Sequence, residues 1–154
     1  MKVLFLDIDG VLNSAYGGTS SDGPIMKEGK LRRVRRIIEE TGARVVLTSS
    51  WRSHWDVQEE KRSAAGKKLH EVLLSHGIEI TSKTPTHRNG REEELWTWLA
   101  LHPETQNFAV LDDAFLEADF LEGRVVRTAS FRGLSESDTK RAIEILGKKE
   151  VGEK

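Results

Sequence analysis

Three sets of polar residues stand where apolar runs end. Asp7 and Asp9 follow Val3-Leu4-Phe5-Leu6 and lead into Gly10, Thr48-Ser49-Ser50 follows Ala43-Arg44-Val45-Val46-Leu47, and Asp112-Asp113 follows Phe108-Ala109-Val110-Leu111. Short apolar runs of this kind predict strands buried on both faces, as at the centre of a parallel sheet. Side chains alternate along a strand, so Asp7 and Asp9 begin on one face, and Gly10 permits a sharp turn beyond them. Carboxylates that close repel each other unless a cation or a shared proton neutralises them. Taken alone, each set also has a plain reading: solvated acids at a strand end, or Ser49 or Ser50 as the cap of a following helix. The hydroxyl run can equally present O–H and N–H groups to one anion, as phosphate-binding nests do. Trp51 and Arg52 either line such a site or simply pack.

The elements that must position these residues alternate in type. Leu31, Val34, Ile37 and Ile38 recur at helical spacing from Lys30 to Thr41, with Gly42 as the stop. Residues 53–66 are polar and ambiguous. A second helix runs through Leu69, Val72 and Leu73 to Gly77, followed by a strand at Ile78-Glu79-Ile80. His76 lies on that helix's apolar stripe and reads as a packed histidine rather than a ligand. After the basic loop of Lys83, His87 and Arg88, a third helix spans Arg91 to Leu101 and is stopped by Pro103. Residues 108–111 and 124–128 are further strands, and Ser135-Glu136-Ser137-Asp138 opens the last helix with a capping-box pattern. Alternating strands and helices predict an α/β fold: a three-layer, Rossmann-like arrangement with a central, mainly parallel five-stranded sheet and no large cap domain. Residues 1–147 read as one domain with a short loop or flap at about 13–30, and residues 148–154 as a disordered tail. In such sheets ligands bind beyond the carboxyl ends of the strands, where the strand order reverses. The three polar sets share that edge, and their convergence outweighs the plain reading of each.

Composition narrows the class of function. The chain has 154 residues, a formal net charge of −1 and no cysteine, which removes disulfides, thiolate metal sites and cysteine nucleophiles. The balance of charge argues against a surface coated for nucleic acid or anionic membrane. Arg32, Arg33, Arg35 and Arg36 form a basic helix face that either grips a phosphate backbone or is solvated and balanced by Glu39 and Glu40. No stretch approaches the length of a membrane span or a signal core, so a cytoplasmic enzyme or binding module without membrane contact is expected.

Oxygen donors without histidine or cysteine select a hard cation, most naturally Mg²⁺, which takes a substrate phosphate oxygen as a further ligand. Surrounded by hydroxyl and cationic donors, such a metal is equipped for phosphoryl transfer. At this point the sequence resembles a known family. Asp7-Ile8-Asp9-Gly10-Val11-Leu12, Thr48 after a strand, a basic residue at a helix start and Asp112-Asp113 after a later strand are similar to the four motifs of the haloacid dehalogenase-like (HAD) phosphatase superfamily. The likeness runs from about residue 2 to 146. More narrowly, Asp9-Gly10-Val11-Leu12-Asn13, Leu47-Thr48-Ser49-Ser50-Trp51-Arg52, Trp98-Leu99 and Leu111-Asp112-Asp113 resemble small phosphatase domains, some linked to RNA repair proteins.

The resemblance implies a phosphomonoester hydrolase acting through an aspartyl-phosphate. Asp7 is then the nucleophile and Asp9 the general acid and base, Asp9 also offering its main-chain carbonyl to the metal. Asp112 and Asp113 complete the Mg²⁺ site, and Thr48 bonds a phosphate oxygen. The basic residue is expected at Arg91, ahead of Lys83 and Arg88, with Ser49, Arg52 and Lys83 as substrate contacts. A minimal cap leaves room for a bulky substrate, and the basic helix with Trp51, Trp55 and Arg52 favours a nucleotide or polynucleotide end. The alternatives are a phosphotransferase and a non-catalytic scaffold of the same fold; oligomeric state is not legible.

Overall fold

A computed structural model describes residues 1–14, 19–20 and 23–147, with residues 19 and 20 described by backbone alone. The expected tail at 148–154, and residues 15–18 and 21–22 of the expected flap, lie outside the described residues. Five strands make one sheet: β1 (Lys2–Leu6), β4 (Arg44–Leu47), β5 (Ile80–Lys83), β6 (Asn107–Asp112) and β7 (Val125–Arg127). Their order is β5-β4-β1-β6-β7, and every pairing is parallel. Two residue pairs between β2 (Thr19–Ser20) and β3 (Gly23–Pro24) form a small antiparallel hairpin. The helices are α1 (Glu28–Thr41), α2 (Ala64–Ser75), α3 (Arg91–Leu101) and α4 (Glu136–Gly147), with short 3-10 turns at Ser50–His54, Glu59–Lys61 and Asp119–Leu121.

Alternation along β1 divides the core. Leu4 and Leu6 pack with Leu31, Val34 and Ile37 of α1, Leu69 and Leu73 of α2, and Ala142 and Leu146 of α4. Val3 and Phe5 point the other way, onto Leu95 and Trp98 of α3, where Phe5 and Trp98 meet edge to face at 5.3 Å. Each such buried side chain stabilises the fold by ~1.5–3 kcal/mol relative to exposure. By the same alternation Asp7 continues toward α3, and so toward the residue that opens that helix.

Chain connectivity creates the functional edge. From β1 the chain steps outward through β4 to β5, then α3 carries it back across the sheet to β6 on the far side of β1. The strand order therefore reverses at β1, which opens a crevice at the carboxyl ends of β1, β4 and β6.

The third strand starts later than its apolar residues suggest. Ile78 donates its N–H to Leu73 O at 2.9 Å and so belongs to the end of α2, while the ladder runs through Ile80, Ser82 and Lys83. Hydrophobicity located the burial, but an edge strand continues into polar residues because only part of it is covered.

Candidate active site

Asp7 extends β1 by one residue, its N–H bonded to Leu111 O at 3.1 Å, and its Oδ1 accepts from the Ile8 N–H at 2.9 Å. The chain then turns at Gly10, whose φ of +83° is open to glycine at little cost; a Cβ there would meet Asp113 Oδ2 at 2.2 Å. Asn13 fastens this turn. Its Oδ1 accepts from Gly10 N at 3.0 Å, and its Nδ2 donates to Asp9 Oδ1 at 3.1 Å and to Ile25 O at 2.7 Å. The Trp51 indole Nε1 donates to the other Asp9 oxygen at 3.0 Å. Asp9 is thereby aimed by two donors from different parts of the chain.

Thr48 continues β4, its N–H bonded to Leu6 O at 2.9 Å, and its side chain is buried. Ser49 is buried too, and its Oγ accepts from Trp51 N at 3.1 Å, which makes it the cap of the 3-10 turn. At the end of β6, Asp112 Oδ1 accepts from Ala114 N at 2.9 Å. One carboxylate oxygen from each of Asp7, Asp112 and Asp113 lies within 4.8 Å of the others.

Arg91 faces this cluster from the first turn of α3. Its Nη1 is 2.5 Å from Asp112 Oδ2, 3.8 Å from Asp7 Oδ2 and 3.4 Å from Thr48 Oγ1. Lys83 and Arg88 are elsewhere. Lys83 Nζ donates to Arg52 O at 3.0 Å and Trp55 O at 2.6 Å, closing the 3-10 turn, and Arg88 is exposed.

Electrostatics follow from Asp7 and Asp112 sharing the Arg91 guanidinium, with the Asp113 carboxylate beside them. Burial raises the Asp7 carboxyl from 3.8 to about 7, and the neighbouring Asp112 charge adds to the rise while Arg91 opposes it. Asp112 is raised as well, by burial first, with Arg91 again opposing. The set is short of positive charge, and all its donors are hard oxygens; both properties fit a divalent cation such as Mg²⁺.

Arg52 sits in the wall. It is buried, donates to Thr48 O at 2.8 Å and Ser49 O at 3.0 Å, and pairs with the buried Glu94. Glu94 also accepts from His87 N at 2.9 Å and lies 3.7 Å from Arg91 Nε. Beside these residues opens a cleft of about 410 Å³ lined by Ser50, Arg52, Ser53, Thr86, Arg91 and Glu94.

Two expectations about nucleic-acid contact change. Trp55 is buried, its Nε1 bonded to His70 Nδ1 at 3.1 Å, so it offers no ring to a ligand. The arginines of α1 are engaged: Arg32 with Glu28, Arg35 with Glu39, Arg36 with Glu40 and Glu136, and Arg33 with Leu134 O. The solvated reading of that face is the one the structure bears out.

Sequence reasoning missed Glu94 and the grip on Asp9. Helical spacing places Glu94 with Arg91, Leu95 and Trp98 on the inward stripe of α3, a signal that the run of three glutamates obscured. Trp51 lies 42 residues from Asp9, and no local pattern announces that bond.

Comparison with known proteins gives a family and a likeness of fold. The family described as "HAD domain in Swiss Army Knife RNA repair proteins" matches residues 3–139. The crystal structure of D,D-heptose 1.7-bisphosphate phosphatase from B. bronchiseptica, complexed with magnesium and phosphate, superposes with a TM-score of 0.50 at 18% identity. The match covers 74% of this chain and 71% of that one, a likeness of fold. No curated protein sequence matches.

Proposed function

We propose that this chain, which belongs to the family of HAD domains in Swiss Army Knife RNA repair proteins, is a Mg²⁺-dependent phosphomonoester hydrolase. It acts through an aspartyl-phosphate, and its substrate is a nucleotide or polynucleotide end. The observation that carries this reading is the meeting of Asp7, Asp112 and Asp113 with Arg91 and Thr48 at one sheet edge.

Asp7 is the nucleophile. Its carboxylate oxygen forms a bond to phosphorus as the bond to the leaving oxygen breaks, so one hard displacement becomes two easier ones. Asp9 donates a proton to that leaving oxygen, then takes one from the water that hydrolyses the acyl phosphate, returning Asp7 and releasing phosphate. Trp51 and Asn13 keep Asp9 aimed between the two steps. Arg91 Nη1 and Thr48 Oγ1 are close enough together to reach one phosphate oxygen, where they stabilise the charge that builds in the transition state. The carboxylates of Asp7, Asp112 and Asp113, with the main-chain carbonyl of Asp9, are the groups that would hold the metal. When bound, Mg²⁺ supplies positive charge against the phosphoryl oxygens and offsets the repulsion among the acids. Ser50 and Arg52 line the adjoining cleft, which accepts part of the leaving group.

The test is phosphate release by wild type and Asp7→Asn, with Mg²⁺ or EDTA. The panel comprises an aryl phosphate, free nucleotides, and oligonucleotides phosphorylated at either end. Metal-dependent release that the substitution abolishes is the expected result, with a phosphorylated nucleotide or oligonucleotide preferred. Release that survives Asp7→Asn would remove Asp7 as nucleophile.

A further inference from the structure

The exposed aromatic side chains Trp96, Phe115 and Phe131 fall into two kinds. Trp96 is 55% exposed and meets Phe120 edge to face at 5.1 Å, in a shallow site that Glu92 and Glu93 also line. Acids beside those rings oppose a polyanion. Phe115 and Phe131, 67% and 64% exposed, keep different company. The Arg127 guanidinium lies 5.4 Å from the Phe115 ring centroid, and that of Arg132 lies 5.4 Å from the Phe131 centroid. Among the described residues neither arginine forms a salt bridge, in contrast to Arg32, Arg35 and Arg36 of α1.

Both rings ride on loops fastened to the nucleophile turn. Phe115 follows Asp113 by two residues, the Asp113 carboxylate packs on Gly10, and Arg127 Nε donates to Asp113 O at 3.2 Å. Phe131 occupies the turn that Gly133 N closes onto Ala129 O at 2.7 Å. That turn is anchored at both ends: Leu134 N donates to Val11 O at 2.7 Å, and Thr128 Oγ1 donates to Gly10 O at 2.6 Å. At Gly133, φ +78°, a Cβ would come 2.8 Å from both Val11 O and Asn13 O, so the approach is as close as backbone permits.

We propose that Phe115 with Arg127 and Phe131 with Arg132 form a stacking platform for the unpaired bases of a single-stranded nucleic acid whose phosphorylated end enters the site. This rests on the phosphatase reading and names the surface that would choose the substrate. A base stacks on the open face of a ring whose other face meets guanidinium, and the remaining guanidinium N–H groups serve the phosphate backbone. The chemistry selects a polyanion that also carries flat π surfaces. An acidic peptide lacks the second property, and a blunt duplex hides it.

The experiment measures binding separately from turnover. Anisotropy of an end-labelled, unphosphorylated single-stranded RNA is titrated in EDTA with wild type, Phe115→Ala/Phe131→Ala, Phe115→Tyr/Phe131→Tyr and Arg32→Ala/Arg35→Ala. Aryl phosphate hydrolysis is followed in parallel with Mg²⁺. The alanine pair is expected to weaken RNA binding about tenfold or more per ring, while the tyrosine pair and the α1 pair bind as wild type. Aryl phosphate turnover stays at the wild-type level in all three variants. RNA affinity retained by the alanine pair, or an equal loss with Arg32→Ala/Arg35→Ala, would each overturn the platform. Ring-dependent RNA binding without phosphate release would support the platform and remove the hydrolase; release with ring-independent binding would do the reverse.

Discussion

The outer face of α1 and the carboxyl edge of the sheet are both rich in charge, and they use it in opposite ways. On α1 each arginine has found a nearby oxygen, mostly a glutamate four residues away, in pairs that stay wet. At the sheet edge three carboxyl groups crowd together, two of them buried and within reach of the Arg91 guanidinium. The first arrangement is what helical spacing produces when nothing selects against it. The second costs the fold stability and persists where a ligand offsets the repulsion. Abundant charge on a surface is therefore a poorer sign of function than charge left unbalanced in a buried place.

The largest effect expected from this contrast is at Asp7. Asp7→Asn should lower turnover by at least ~10³-fold, since a nucleophile has no substitute, while circular dichroism and the elution volume stay those of wild type. Next comes Arg91. Arg91→Ala should reduce kcat/KM about 10²-fold, the scale of losing one donor to the transition-state charge. Lys83→Ala should instead lower the melting temperature, because Lys83 holds the Arg52 and Trp55 carbonyls. A larger kinetic loss in Lys83→Ala than in Arg91→Ala would move the basic role to the loop.

A third effect separates function from folding. A carboxyl whose folded value is raised from 3.8 to about 7 holds its proton more tightly in the folded state. The stability so gained is complete below about pH 4 and is lost as the pH rises through about 7. In EDTA the wild type should thus be less stable at pH 8 than at pH 5.5 on account of this group. Asp7→Asn should reduce that dependence, leaving the part due to Asp112, and gain on the order of a few kcal/mol at pH 8; denaturant midpoints at the two pH values check it. A wild-type midpoint independent of pH would show that Asp7 is not strained. The smallest effect belongs to α1, where Arg32→Ala should shift stability by less than about 0.5 kcal/mol and leave kinetics unchanged.

How far the sequence reached can be argued from the same two regions. Strand ends announced themselves because a buried strand is a run of apolar residues and polar residues at its end have to be explained. Connectivity then followed from the alternation of elements, and with it the meeting of Asp7, Thr48 and Asp112. Arg91 was legible from its position at a helix start. Contacts set by tertiary packing were not: Trp51 reaches Asp9 across 42 positions, and Arg52 in the cleft wall pairs with the buried Glu94. Trp55 shows the same limit, since a tryptophan in a polar stretch gives no sign of which side of the chain the core lies on. Phe115 and Phe131 escaped notice because their interest lies in what they fail to bury.

The most direct test of the central claim is to quench the enzyme during turnover with hydroxylamine, which converts an acyl phosphate to a hydroxamate, and to map the modified residue by peptide mass spectrometry. The account predicts substrate-dependent modification of Asp7 in the wild type and none in Asp7→Asn. Modification of a different carboxylate, or phosphate release with Asp7 never modified, would contradict it.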